Sequence, residues 1–282
     1  MRNNQIRNER IVEKPIGVID SGVGGLTVAL ELMRQLPREK LIYLGDTKRC
    51  PYGPRTKEEV QQFTWEMVDF LLEKEIKLLV IACNTATAYT IDDLKEKLDI
   101  PVIGVINPGA RAAIKATINQ EIGIIGTEGT VKSGAYPDAL KQINPELHVQ
   151  ALACPLFVPL VEKGVFTGEE ARMVVESTLE PLVEDNDMDT LILGCTHYPL
   201  LKPLIKEVVG DQVAVISSSE ETARETSAVL EIKQLQNKSG LQQVHEIYST
   251  GDMEIFNRIA TKIFQNAIHQ QFTIKRAVIE KE

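Results

Sequence analysis

Two mainly apolar segments of the sequence each end in a cysteine. Residues 78–81 precede Ala82 and Cys83, and residues 190–194 precede Cys195. Short apolar runs of this kind predict strands that are buried on both faces, as in parallel sheets. Open α/β sheets place their chemistry at the carboxyl ends of such strands. The chain is therefore expected to form an α/β fold with a thiol at the end of two strands.

The residues after Cys83 favour a reactive thiol at that position. Small and hydroxyl residues lead into a helix-compatible segment there. The amides and the dipole at the amino terminus of a helix favour a thiolate over a thiol. The alternative for a lone cysteine is a small hydrophobic residue of the core. We assign Cys83 and Cys195 to function because their contexts match, and we assign Cys50 and Cys154 to the core or to a loop.

The two halves of the chain repeat one pattern in the same order. Three pairs of anchors lie at similar separations of 106, 104 and 112 residues: 16–19 with 122–125, Cys50-Pro51 with Cys154-Pro155, and Cys83 with Cys195. A duplicated α/β unit explains this order, and the alternative is a chance likeness between strand–turn–helix segments. The predicted fold class is α/β, with two pseudo-symmetric α/β domains, mainly parallel sheets and the active site at their interface.

Two thiols on opposite sides of one carbon atom suit the inversion of a stereocentre that bears an acidic C–H. One thiolate removes the proton from one face while the opposite thiol delivers a proton to the other face. The pKa of free cysteine, about 8.5, is close enough to neutrality for such acid–base work. A cysteine hydrolase would instead need one cysteine with a histidine and an orienting partner.

Polar residues near the first predicted strand are candidate substrate ligands. Asp20 and Ser21 follow that strand; Asp20 can orient an ammonium group or act as a base, and its alternative role is to cap the next turn. The glycines that follow can hold an anion on their amides. They do not complete GxGxxG because Thr27 takes the third glycine position, although Asp46 lies where a ribose-binding acid belongs.

Further candidates lie in the loop after the second predicted strand and beside the two cysteines. Tyr52 and Gly53 either close over a substrate or form a plain turn. Side chains next to the cysteines, Asn84, Thr85 and Thr196, are possible donors to carboxylates. His197 can tune Cys195, bind a carboxylate or donate a proton, and its alternative is a structural histidine.

Composition excludes several classes of partner. A net charge of −9 over 282 residues argues against a nucleic-acid surface, and no apolar run approaches the roughly 20 residues of a membrane helix. The polar start does not resemble a secretory signal, so the four cysteines are expected as free thiols in the cytoplasm. Their wide spacing is not that of a zinc site, and no metal is expected.

Four segments together resemble the glutamate racemases of the aspartate/glutamate racemase family. They are DSGVGGL at 20–26, PYG at 51–53, CNTAT at 83–87 and GCTHYP at 194–199. They occur in the family's order and spacing over about residues 16–203. The resemblance implies interconversion of L- and D-glutamate without a cofactor, supply of D-glutamate to peptidoglycan, two α/β domains with the active site between them, and often a homodimer.

The resemblance also implies roles for individual residues. It carries the two catalytic bases onto Cys83, which acts on D-glutamate, and Cys195, which acts on L-glutamate. Asp20 and His197 assist proton transfer. The substrate-contacting positions that it implies are Asp20, Ser21, Tyr52, Gly53, Asn84, Thr85, Thr196 and His197. Glu162 resembles a further carboxylate near the site, and its alternative is a solvated charge at a helix end.

We divide the chain into a polar tail at 1–14, a first α/β domain formed by 15–105 and 217–282, and a second formed by 106–216.

Three other functions are open: a racemase of aspartate or a hydantoin, a two-lobed amino-acid sensor whose cysteines lie in the core, and a dinucleotide-binding protein. A substrate panel tests the first. Substrate-protected labelling of Cys83 and Cys195 by iodoacetamide separates an enzyme from the sensor, and calorimetry with NAD tests the third.

Overall fold

Strands and helices alternate along the chain, as the sequence predicts. The computed structural model describes residues 11–183, 187–240, 243–265 and 271–279. The strands are β1 (Ile16–Asp20), β2 (Leu41–Gly45), β3 (Leu78–Ile81), β4 (Val102–Gly104), β5 (Glu121–Gly126), β6 (His148–Ala153), β7 (Thr190–Gly194), β8 (Ala214–Ser217), β9 (Val244–Ser249) and β10 (Gln271–Arg276). The helices are α1 (Leu26–Gln35), α2 (Lys57–Leu72), α3 (Asn84–Lys97), α4 (Ile106–Ala116), α5 (Glu128–Lys132), α6 (Ala135–Ile143), α7 (Phe157–Glu162), α8 (Glu169–Val183), α9 (Lys202–Val209), α10 (Ser218–Ile232) and α11 (Met253–Phe264).

The strands form two parallel sheets. The first has six strands in the order β10-β9-β2-β1-β3-β4, and the second has four in the order β6-β5-β7-β8. The four strands β2-β1-β3-β4 therefore repeat the order of the whole second sheet. The prediction of two pseudo-symmetric α/β units with mainly parallel sheets is confirmed.

The strand register places the two candidate cysteines at equivalent positions. Gly17 of β1 pairs with Leu79 of β3, and Gly123 of β5 pairs with Leu191 of β7. Cys83 and Cys195 each lie four residues beyond those partners. The two thiols therefore occupy the same place in the two units.

One of the three sequence anchors is wrong. Asp20 pairs with Gly45 at the end of β2, and Gly126 pairs with Ala153 at the end of β6. Cys154 directly follows β6, so its counterpart by register is Asp46 and not Cys50. The Cys50-Pro51 and Cys154-Pro155 segments look alike in sequence. Cys154 is the first residue after β6, whereas Cys50 is the fifth residue after β2.

Both faces of each sheet are covered by apolar side chains. Along β1, Val18 joins one hydrophobic cluster and Ile19 joins another, because successive side chains of a strand point to opposite faces. In the second sheet, Ile124 and Ile125 are divided in the same way. The loops at the carboxyl ends of the strands are therefore the natural place for polar side chains.

Two segments with turn-like sequences are the starts of helices. Residues 107–109, Asn-Pro-Gly, lie in the first turn of α4, where the missing amide of Pro108 costs no intrahelical hydrogen bond. Residues 127–130 open α5, and Thr127 caps it by accepting from the amide of Thr130.

The chain passes between the sheets after β4, through α4, and again after β8, through α10. These two helices pack against each other. The predicted domain boundaries, after residues 105 and 216, lie at these crossings and stay a prediction.

The predicted polar tail is only partly described, because residues 1–10 lie outside the described residues. Within residues 11–14, the carbonyl of Val12 accepts from Lys77 Nζ at 2.6 Å, and Lys14 forms an ion pair with Glu75 at 2.9 Å. Every helix among the described residues is too short or too polar to span a membrane.

Candidate active site

The ends of β1, β3 and β7 meet in one buried site. Thr196 Oγ1 donates to Asp20 Oδ1 at 3.1 Å, which joins the end of β7 in the second sheet to the end of β1 in the first. Cys83 Sγ lies 3.6 Å from the hydroxyl of Ser21, which follows Asp20. Cys195 directly precedes Thr196 in the loop that contacts Asp20. The structure therefore brings Asp20, Cys83 and Cys195 together although they are far apart in sequence.

The glycine-rich loop after β1 lies directly against the loop that carries Cys195. A Cβ atom at Gly24 would lie 2.6 Å from His197 Nδ1 and 2.7 Å from Thr196 Oγ1. A Cβ at Gly22 would clash with Glu162 Oε1, which belongs to the second unit. Real Cβ atoms do not approach their neighbours this closely, so these glycines permit close contact between the two units.

Cys83 is the N-cap of α3, as the sequence predicts for a strand-end thiol. Its Sγ accepts from the amide of Ala86 at 3.4 Å and lies 3.6 Å from Ser21 Oγ. Burial and then the charge of Asp20 raise the pKa of Cys83 to about 12, although the Ala86 amide lowers it. Desolvation thus outweighs the helix-terminus effect expected from the sequence, and Cys83 is a thiol in this closed site.

Cys195 lies beside a histidine–carboxylate pair. Its Sγ is 3.7 Å from His197 Nδ1, and His197 Nε2 is 2.6 Å from Glu162 Oε1. Burial lowers the pKa of His197, but hydrogen bonds to Cys195, Cys50 and Glu162 outweigh burial and raise it well above the ordinary value. His197 is therefore an imidazolium in this closed site.

Glu162 belongs to this cluster and is not a solvated charge at a helix end. Its side chain is 24% exposed, and its Oε1 accepts from the amide of Val23 at 3.1 Å. Burial raises the pKa of Glu162, but the hydrogen bond and charge of His197 lower it more, so the net shift is downward. The pair is therefore a carboxylate and an imidazolium.

Asp20 caps the glycine turn, which is the alternative role considered for it from the sequence, and its role as a base stays a prediction. Its Oδ2 accepts from the amides of Gly22 and Gly25, each at 3.0 Å, so it orders the glycine turn. It is fully buried next to Cys83, and burial raises its pKa to about 6 against the opposing effect of His197. A carboxylate that titrates near neutrality is suited to exchange protons.

The two residues after Cys83 face the second unit. Asn84 Oδ1 accepts from the Tyr136 hydroxyl at 2.7 Å, while its buried Nδ2 has no hydrogen-bond partner among the described residues. Thr85 Oγ1 lies 2.8 Å from Thr127 Oγ1. An unpaired buried amide donor is costly, so Asn84 Nδ2 is a strong candidate to bind a carboxylate.

The loop after β2 reaches the same region, but its polar side chains form hydrogen bonds to other residues of the protein. The Tyr52 hydroxyl donates to Asp46 Oδ2 at 2.6 Å, and Asp46 Oδ1 accepts from Thr250 at 2.8 Å. These bonds occupy the carboxylate that a ribose would need. Gly53 lies against Thr127, where a Cβ would come within 2.5 Å of the threonine Cβ.

Sequence reasoning missed Tyr136 and Thr127. Tyr136 lies in α6, which no strand-end pattern marks. The repeat could have identified Thr127, because it is the first residue after β5 and Ser21 is the first residue after the equivalent strand β1. The duplication therefore points to a site residue that the resemblance did not include.

A family model described as Asp/Glu/Hydantoin racemase matches residues 16–226. The chain belongs to this racemase family.

Relatives within the family agree with this over almost their full length. The glutamate racemase of Oceanobacillus iheyensis is 66% identical over 95% of this chain and 98% of its own. The crystal structure of glutamate racemase isoform RacE1 from Bacillus anthracis is 48% identical, with a TM-score of 0.89 over 94% of this chain and 98% of that chain. The structure of Francisella tularensis glutamate racemase in complex with D-glutamate is 32% identical, with a TM-score of 0.86 over 95% of this chain and 99% of that chain.

Proposed function

We propose that this member of the racemase family interconverts L- and D-glutamate by moving the Cα proton between two cysteines, without a cofactor. The observation that carries the proposal is the equivalent placement of Cys83 and Cys195 at the ends of β3 and β7, beside the shared Asp20. Relatives named glutamate racemase, such as that of Bacillus cereus at 56% identity, support glutamate as the substrate.

Each thiol serves one direction of the reaction in this proposal. Cys83 as thiolate removes the proton of D-glutamate while Cys195 as thiol protonates the other face, and the roles reverse for L-glutamate. Burial holds Cys83 as a thiol in this structure. Asp20 and His197 then move protons onto and off the sulfurs, because both lie beside the thiols and Asp20 titrates near neutrality.

The remaining polar groups hold the substrate in place. The unpaired Asn84 Nδ2 and the hydroxyls of Thr85 and Ser21 are donors for the two substrate carboxylates. The hydroxyl of Thr196 is a further donor once it turns away from Asp20. Asp20 is the acceptor for the ammonium group. Asp20, Cys83, Cys195 and His197 are each no more than 6% exposed, so the two units must part for glutamate to enter and close again for reaction.

Exchange of the substrate Cα hydrogen with solvent tests the proposal. The purified protein, incubated with L-glutamate in heavy water after treatment with a chelator and without added pyridoxal phosphate, is expected to form D-glutamate that carries deuterium at Cα. Aspartate and a hydantoin are tested alongside, because the family description includes both. Racemisation of either in preference to glutamate would move the proposal to that substrate, and no exchange with any of them would refute it.

The biological setting belongs to the same proposal. We place the protein in the cytoplasm, as a homodimer that supplies D-glutamate for peptidoglycan. The support is the kinship with glutamate racemases and the free cysteines in the structure. Light scattering of the purified chain measures the oligomeric state.

Gly24→Ala is expected to lower glutamate racemisation by about 10²-fold, the cost of displacing a catalytic group by about 1 Å. The added Cβ would clash with His197 and Thr196, and would push the Cys195 loop away from Asp20. Racemisation rates at saturating glutamate measure the effect. Gly240→Ala is the matched control, because a Cβ at Gly240 meets nothing within 4 Å. Equal rates for both variants would mean that contact between the loops does not limit catalysis.

A further inference from the structure

Three metal-binding atoms from separate parts of the chain converge at the edge of the site. Cys50 Sγ, Glu162 Oε1 and His197 Nε2 lie within 4.8 Å of one another. Cys50 Sγ is 3.7 Å from Glu162 Oε1, and Glu162 Oε1 is 2.6 Å from His197 Nε2. We propose that these three residues form a binding site for a borderline-soft divalent cation such as Zn²⁺, and that its occupancy inhibits the enzyme.

The donor set suits zinc in both type and number. Zinc binds thiolate, imidazole and carboxylate at about 2.0–2.3 Å in a tetrahedron, and sites with three protein ligands keep a fourth position for water. Those bond lengths put the ligand atoms of one tetrahedron roughly 3.3–3.8 Å apart. The 3.7 Å pair already fits, and the 2.6 Å pair has only to widen as the metal replaces the hydrogen bond. The remaining pair, Cys50 with His197, lies within 4.8 Å and has to close slightly.

Binding would release protons and change what His197 does. Cys50 gives its thiol proton to solvent, and His197 gives up the proton on Nε2, so that sulfur and nitrogen can each donate a lone pair to the metal. The proton that stays on His197 is then on Nδ1, which faces Cys195 at 3.7 Å. The metal would fix the ring that contacts the Cys195 thiol, and inhibition by this route rests on the role proposed for His197 above.

The metal would also hold the protein closed. Cys50 lies in the loop after β2 of the first sheet, whereas Glu162 and His197 follow β6 and β7 of the second sheet. Shared coordination would therefore bridge the two units that must part for substrate to enter. The wide separation of the ligands in sequence explains why cysteine spacing alone predicted no metal.

Metal binding to the full-length protein is measured first, without reference to activity. A chromophoric chelator competes with the protein for Zn²⁺, and the Co²⁺ form is examined for sulfur-to-cobalt charge transfer, whose intensity reports the number of thiolates. We expect one thiolate, and an affinity in Cys50→Ser that falls by more than the about 10–100-fold typical of losing an outer-shell partner. Cys154→Ser is the matched control and should bind as the wild type does.

Racemisation in the presence of Zn²⁺ is measured second. Wild type and Cys154→Ser are expected to be inhibited at the zinc concentrations that fill the site, and Cys50→Ser to resist. A two-thiolate spectrum that persists in Cys50→Ser would place the metal on Cys83 and Cys195 and overturn the proposal. Absence of binding, or binding without inhibition, would also overturn it. If Cys50→Ser does not fold, two measurements decide between these outcomes. They are the number of thiolates in the Co²⁺ spectrum of the wild-type protein and the Zn²⁺ affinity of Glu162→Gln.

Discussion

Cys83→Ser and Cys195→Ser are each expected to lower the rate of glutamate racemisation by about 10²- to 10⁴-fold, the range that a positioned acid–base group contributes. A hydroxyl fits the space of the thiol and can accept from the Ala86 amide as Cys83 does. It is a much weaker acid, so it does not lose its proton at neutral pH to form the base that removes the Cα proton. Rates are measured from both enantiomers by circular dichroism. Cys154→Ser, which removes a buried thiol that the reaction does not use, controls for loss of a thiol.

The two variants should also differ in isotope exchange. With Cys195 intact, Cys83→Ser can still remove and return the proton of L-glutamate, and should wash deuterium into L-glutamate without forming the D enantiomer. Cys195→Ser should do the same with D-glutamate alone. Full racemisation in either variant, or exchange of both enantiomers by one variant, contradicts a mechanism with one base for each face.

Asp20→Asn is expected to lower racemisation while stabilising the fold by about 3 kcal/mol above pH 6, since each unit of pKa shift corresponds to 1.36 kcal/mol. Burial raises the pKa of Asp20 from 3.8 to about 6. The folded state therefore binds the proton more tightly, and wild-type stability falls as pH rises between those values. An amide carries no charge to bury. Its oxygen can accept from Gly22 and Gly25, while its NH₂ donates to Thr196 Oγ1.

Urea unfolding at pH 8 and at pH 4 measures this effect. The variant should be the more stable protein at pH 8, and the advantage should nearly disappear at pH 4, where the wild-type carboxyl is protonated when folded. Asp211→Asn is the control, because the side chain of Asp211 is 98% exposed. An Asp20→Asn protein that is less stable than wild type at pH 8 would show that the hydrogen bonds of the carboxylate outweigh its desolvation.

The sequence predicts the parts of this fold that depend on local pattern. Apolar runs locate β3 and β7, and the abrupt change to Cys83 and Cys195 locates the strand ends. The sequence repeat gives the wrong counterpart for Cys154. Cys50 resembles it in local sequence, but the strand register pairs it with Asp46. The local pattern also misses the roles of Pro108 and Thr127 in starting helices, because a proline or a threonine is equally common in turns.

The site itself depends on contacts between distant segments. The resemblance supplied Glu162 as a carboxylate near the site, but its pairing with His197 comes from the packing of α7 against the loop after β7. Tyr136 reaches Asn84 from the opposite unit. The sign of the pKa shift at Cys83 likewise could not be read from its helix terminus, because it is decided by how much water the assembled site excludes.

The repeat that supplies two equivalent thiols does not extend to their neighbours. Asp20 has Gly126 as its counterpart, and His197 has Thr85. Mirror-image amino acids have identical free energies in water, so thermodynamics fixes the ratio of the two specificity constants, kcat/KM, at unity whatever the surroundings. Because the neighbours of the two cysteines differ, one enantiomer can have a lower KM than the other, but its kcat must then be lower in the same proportion. The asymmetry of the site changes how fast each bound enantiomer reacts, but it cannot change the racemic mixture that the enzyme finally reaches.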